Sequence, residues 1–176
     1  MTAASQQIAD EQPIAMTSTT ALVGFAELYE RHSGAVFRAA LRVTGNPADA
    51  EDVLQTVFLR VLARGGDIEA TPLPAAYLRR AAVNAAVDLL RRRAVHAESV
   101  YDDRAPHAAS PPPSLLKERL RRAIATLESE DATLFLLRHV EGLSLEELGV
   151  MFQLEKNTVA VRLHRIRHRL QSEMER

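Results

Sequence analysis

Three groups of side chains in this sequence have the types and spacing to do chemistry. Asp49, Glu51 and Asp52 set three carboxylates within one turn, with Asp49 and Asp52 on the same helical face, and could begin a divalent-metal site for phosphodiester cleavage. His164 and His168 stand four apart, a spacing that places two imidazoles side by side as zinc ligands. Neither set has the company its chemistry needs. No further cluster of His or carboxylate, no Gly-rich phosphate loop and no Ser/His/Asp arrangement accompanies them. The third group is arginine. Residues 71–95 carry Arg79, Arg80, Arg91, Arg92 and Arg93 against Asp88 alone, and residues 151–176 carry five Arg and Lys156 against three Glu, within a chain whose formal net charge is −1. Guanidinium groups neutralise phosphate or bond guanine in a bidentate way. Two basic blocks far apart in the chain, each beside an acidic one, point to a protein that touches nucleic acid at two places. Binding is the expected activity, with no enzymatic role, no cofactor and no metal.

The absence of cysteine from all 176 residues excludes a disulfide framework, thiol catalysis and thiolate metal sites, and fits a reducing compartment. The first twenty residues lack a basic start and a continuous apolar stretch, and no run approaches the roughly 18 apolar residues of a membrane span. A cytoplasmic address without membrane insertion is expected.

The elements that must position these arginines are helical throughout. Residues 1–20, rich in Ser, Thr, Ala and Gln, read as a flexible tail. Leu22, Phe25, Leu28, Tyr29, Val36, Phe37, Ala40 and Leu41 then recur at helical spacing until Gly45-Asn46-Pro47 stops the helix. Asn46 can cap a second helix with Pro47 at its first position, and Val53, Leu54, Val57, Phe58, Val61 and Leu62 supply its buried side. A loop over 65–74 and a third helix over 75–94 follow. Residues 96–113, with Pro106, Pro111, Pro112 and Pro113, read as a linker. Beyond it, 115–127, 131–141, 144–152 and 156–174 predict four more helices. The expected fold is all-α: two small helical domains, 21–95 and 114–176, joined by a Pro-rich flexible linker.

The most informative stretch begins at Gly142. Ser144 with Glu147 three residues later is a capping box that starts a short helix. After a turn over 153–156, Val159, Leu163, Ile166 and Leu170 fall at i, i+4, i+7 and i+11 and face inward. The other side presents Lys156, Asn157, Thr158, Ala160, Val161, Arg162, His164, Arg165 and Arg169. This is a helix-turn-helix whose second helix can enter the major groove.

The run Leu136-Leu137-Arg138-His139-Val140-Glu141-Gly142-Leu143-Ser144-Leu145-Glu146-Glu147-Leu148, with Asn157-Thr158-Val159 and Arg162-Leu163-His164-Arg165 after it, resembles the fourth domain of the extracytoplasmic-function (ECF) sigma factors of bacterial RNA polymerase. The resemblance implies that Lys156, Asn157, Thr158, Ala160, Val161, Arg162, His164 and Arg165 meet the −35 promoter element. Gln153 stands where the family's turn commonly has Gly, Glu155 where a capping Ser is common, and Ala160-Val161 where a polar or basic pair often faces the bases.

The first half agrees. Asp49-Ala50-Glu51-Asp52-Val53-Leu54-Gln55-Thr56-Val57-Phe58-Leu59-Arg60 is similar to the family's segment that grips the clamp helices of the polymerase's largest subunit, which implies core-polymerase binding by Asp49, Glu51, Asp52, Gln55 and Phe58. Thr56 replaces an acidic residue often found there. The segment 77–93 is similar to the helix that meets the melting −10 element. Arg79, Arg80, Arg91, Arg92 and Arg93 can hold a backbone, Asn84 can bond a base, and Tyr77, where the family usually has Trp, can stack on one. By the same resemblance the 65–74 loop captures a flipped −10 base, with Asp67, Ile68 and Glu69 as candidates, and the linker with Asp102-Asp103 enters a basic polymerase channel. Implied partners are core RNA polymerase, promoter DNA as duplex at −35 and single strand at −10, and an anti-sigma factor that covers both domains. The alternative is a helix-turn-helix regulator that does not bind core polymerase, since it needs only the C-terminal features.

Overall fold

The computed structural model describes residues 14–64, 74–98 and 113–175, and among them there are seven α-helices and no strand. Helix α1 spans Ile14–Thr44, α2 Pro47–Ala63, α3 Pro74–Glu98, α4 Pro113–Ala125, α5 Ser129–His139, α6 Leu145–Phe152 and α7 Lys156–Glu175. Two boundaries differ from expectation. Helix α1 begins at Ile14, inside the segment read as a tail, because residues 14–20 hold no Gly or Pro to stop a helix propagating upstream. Helix α3 runs on to Glu98, since no breaker follows Arg93 directly. Most of the linker 96–113 and the loop with Asp67, Ile68 and Glu69 lie outside the described residues.

Local chemistry fixes the helix ends. The Asn46 side chain accepts from the Ala48 N–H at 2.9 Å, with Pro47 at the first helical position of α2. Gly45 closes α1 with φ +69°, its N–H donating to the Leu41 carbonyl at 2.8 Å, and the Arg121 guanidinium occupies the space a Cβ would take. At α6 the capping box is complete: Ser144 Oγ accepts from the Glu147 N–H at 3.1 Å, and Glu147 Oε2 accepts from the Ser144 N–H at 2.7 Å. The Ser144 backbone bond holds the Glu147 carboxyl below the usual carboxylate range. Ser144→Ala should therefore lower the free energy of unfolding by about 1 kcal/mol, read as a lower midpoint in urea with unchanged slope.

Helices α1, α2 and α3 pack on one another, and α4 to α7 form a second unit. Leu28, Val36, Val53, Val57, Leu78, Val83 and Val87 fill the first, and Leu127, Leu134, Leu137, Leu148 and Val159 the second. The two units are not separate in space. Helix α3 packs against both α4 and α5, so the buried residues form one continuous cluster.

Candidate nucleic-acid interface

Helices α6 and α7 carry the first surface. The turn between them passes through Gln153 at φ 56° and ψ 42°, a left-handed conformation that costs a non-glycine residue roughly 1–2 kcal/mol. It brings Leu154 back so that its N–H donates to the Gly149 carbonyl at 2.9 Å. Val159, Leu163, Ile166 and Leu170 are buried beneath α7 as the spacing required. On its outer side Asn157, Thr158, Val161, Arg162, Arg165 and Arg169, with Asp131 of α5, line an open groove of about 630 Å3. Val161 is 52% exposed there. Arg162 is held by its own unit: Nη2 lies 2.7 Å from Glu130 Oε2 and Nε donates to Asp131 Oδ1 at 2.5 Å. Burial works against the charge, but the bonds from Glu130 and Asp131 outweigh it and raise the Arg162 pKa. Neither acid was singled out in the sequence, because both lie in α5, more than twenty residues upstream.

The other expected α7 residues face elsewhere. Ala160 and His164 border a second hollow with Arg138, His139, Leu145 and Arg167. The His164 ring packs edge-on against His168 at 4.6 Å between centroids. His139 is pushed down in pKa by burial and by the charges of Arg167 and Arg138. Lys156 pairs with Glu146 at 2.5 Å at the exposed entry to the helix.

Helix α3 is the second surface, and most of its candidate residues are already engaged. Arg80 Nη1 donates to the Met151 carbonyl at 2.6 Å, with its guanidinium 4.2 Å above the Phe152 ring. Asn84 bonds the Thr133 hydroxyl through its side-chain oxygen. Arg91 donates from Nε to the Ala125 carbonyl at 3.3 Å and from Nη2 to the Leu127 carbonyl. Arg79 Nε lies 3.7 Å from Glu141 Oε2. Tyr77 bonds Arg64 through its hydroxyl, Arg93 pairs with Asp49, and Arg92 is exposed.

Two of the expected docking residues of α2 are buried in the free chain. Asp49 is buried at 3% exposure, bonded to Arg93 through Oδ1, while Oδ2 has no partner. It sits in the first turn of α2, its carboxylate turned to Arg93 of α3. Phe58 is also buried, meeting Tyr29 at 4.7 Å and Phe25 at 6.0 Å, both edge to face, because its position falls on the core side with Val57 and Val61. Glu51, Asp52 and Gln55 do face outward. Asp49 and Asp52 thus point to opposite environments, and the three carboxylates do not gather for phosphodiester chemistry. Leu59 and Leu62, 63% and 42% exposed, extend the outward row of Asp52 and Gln55 at steps of three and four. The spacing that puts Leu62 on the buried side with Val61 does not hold, since apolar type alone does not tell a core position from an exposed one.

Among the described residues no helix is long and apolar enough to cross a membrane. Residues 28–95 match the Sigma-70 region 2 family, and residues 117–170 match the Sigma-70, region 4 family. The chain is 32% identical over 155 residues to an RNA polymerase sigma-E factor of Streptomyces coelicolor, covering 85% of each protein. It is 34% identical over 146 residues to the RNA polymerase sigma factor CarQ of Myxococcus xanthus, covering 80% of this chain and 83% of that one. It is 33% identical over 159 residues to the ECF RNA polymerase sigma factor SigE of Mycolicibacterium smegmatis, spanning 61% of that protein's length.

Proposed function

Since the chain belongs to the extracytoplasmic-function sigma factors, directing RNA polymerase to promoters, we propose that α2, α3 and α7 divide that work among themselves. Helix α2 docks on core polymerase through Glu51, Asp52, Gln55, Leu59 and Leu62, an acidic and polar row ending in two exposed leucines that suits a partner helix carrying arginine. Helix α3, with Arg79, Arg80, Asn84 and Arg91, takes the opened −10 strand. Binding energy for the unpaired bases then shifts the promoter from closed to open. The work is binding and no bond is made or broken. It is done in the cytoplasm, beside polymerase and chromosome.

Helix α7 holds the duplex at −35, and the observation that carries this is the groove-side row Asn157, Val161 and Arg165, one residue per turn beside the capped helix and its tight turn. The chemistry of the row suggests the bases: Asn157 bidentate to adenine, the Val161 methyls against a thymine methyl, and Arg165 bidentate to guanine.

The test is transcription by bacterial core polymerase, with and without this protein, on a promoter library read at the RNA 5′ ends. New starts sharing −35 and −10 elements are expected. Val161→Ser should relax a thymine preference at one −35 position about tenfold and leave the others unchanged. Duplex binding without core-dependent starts would leave a helix-turn-helix regulator instead.

A further inference from the structure

The hollow beside Ala160 and His164, which shares no residue with the groove of Asn157, Val161 and Arg165, is about 260 Å3 in volume and its charged side chains are all basic. Arg138 and His139 reach it from the last turn of α5, and His164 and Arg167 from α7, with Leu145 and Leu163 supplying apolar wall. No carboxylate lines it. Several arginines of this chain are matched by acids: Arg42 by Glu141, Arg93 by Asp49, and Arg162 by Glu130 and Asp131. Arg167 makes no ion pair among the described residues, and Arg138 bonds a neutral acceptor, the Leu143 carbonyl, at 2.7 Å through Nη1. The acids of α6 are committed elsewhere, Glu146 to Lys156 and Glu147 to the Ser144 N–H. The unmatched charge is felt inside the hollow, where burial, with the fields of Arg167 and Arg138 added to it, holds His139 below its usual imidazole range.

We propose that this hollow is a phosphate seat, in which Arg138 and Arg167 bond the oxygens of one phosphate group and His139 and His164 donate to it from their rings. The space is smaller than the roughly 300–1,000 Å3 of a whole-ligand cleft, so it takes the anionic group and leaves the remainder of the ligand outside. Guanidinium forks suit such a group because they offer parallel donors to adjacent oxygens. The phosphate belongs either to a free phosphorylated molecule or to the backbone of a duplex, and the chemistry of the seat is the same for both. The seat does not rest on which promoter element α7 meets. Occupancy is linked to protons. The groups facing the two rings are Arg138, Arg167, the His168 ring edge-on to His164 at 4.6 Å and the Phe135 ring 4.5 Å from His139, with no acid among them. An arriving anion offsets the neighbouring cations and favours the protonated imidazoles, so binding strengthens as pH falls through the imidazole range.

The test is calorimetric titration of the full chain with inorganic pyrophosphate at constant ionic strength. Saturable binding is expected. Arg167→Gln and His164→Gln, both at exposed positions, should each weaken it about tenfold, the effect of one charge-assisted hydrogen bond. Lys117→Gln, which removes an exposed cation of α4 that does not line the hollow, should leave it unchanged. Sulfate keeps its charge between roughly pH 5 and 8, where imidazole titrates, so it reads the rings alone. It should bind about tenfold more tightly at the acid end, and the His139→Gln, His164→Gln double variant should lose that dependence. A duplex carrying a −35 element then separates the two sources of phosphate. Pyrophosphate that weakens duplex binding by the parent chain, but not by Arg167→Gln, assigns the seat to the duplex backbone; pyrophosphate that binds without disturbing the duplex assigns it to a free phosphorylated ligand. No saturable binding of pyrophosphate, or binding that Arg167→Gln leaves unchanged in a protein with the thermal unfolding of the parent, would overturn the seat.

Discussion

Leu59→Asp is expected to leave the fold as stable as the parent and to weaken binding to core polymerase about a hundredfold. At 63% exposure Leu59 contributes little to the core, so its loss costs stability only within the surface range of roughly 0.5 kcal/mol either way. At an interface the same side chain would be desolvated against a partner helix, and anchors of that kind cost 2 kcal/mol or more when truncated, about thirtyfold, before the penalty of burying a new carboxylate is added. Asp52→Ala, a neighbouring rim charge on the same row, should slow association mainly and in a salt-dependent way. The check is co-elution and titration with core polymerase beside thermal unfolding of the free protein. A Leu59→Asp protein that binds core as well as the parent would remove α2 from the docking surface.

Gly149→Val should disable the −35 surface while sparing the N-terminal unit. Gly149 lies on the buried side of α6, and a Cβ there would stand 2.8 Å from the Leu154 carbonyl oxygen, a main-chain atom that cannot swing away. The same turn is tied by the Leu154 N–H to the Gly149 carbonyl, so the α6 to α7 angle is set by this close approach. A branched side chain must push the turn outward, and α7 would lose the angle to α6 on which its proposed docking at −35 depends. The expected cost is about 3 kcal/mol of local stability. Starts at −35-dependent promoters should be lost, while core binding through α2 persists. Amide exchange that stays slow in α1 to α3 and becomes fast in α6 and α7 would locate the damage.

Much of this was legible in the sequence because short-range chemistry decided it. Asn46-Pro47, the Ser144 and Glu147 pair, and the inward row of α7 each carry their geometry within a few residues. Exposure within a single helix was less legible. Asp49 is acidic and turned in, Leu59 is apolar and turned out, and only the packing of α2 on α1 and α3 separates them. Least legible was the contact between the two units. Asn84 with Thr133 and Arg42 with Glu141 join residues far apart in the chain, and no local pattern announces such pairs.

With α7 docked at the −35 duplex as proposed, the carboxylate grip on Arg162 would have a thermodynamic consequence there. A cation that meets a phosphate displaces condensed counterions, and each such contact steepens the fall of affinity with added salt. Arg162 arrives with its charge already matched by Glu130 and Asp131, so it releases few ions on docking. A helix docked in that way would take part of its hold on the duplex from shape and base edges, and its discrimination between sequences should persist at ionic strengths that strip a fully cationic helix from DNA.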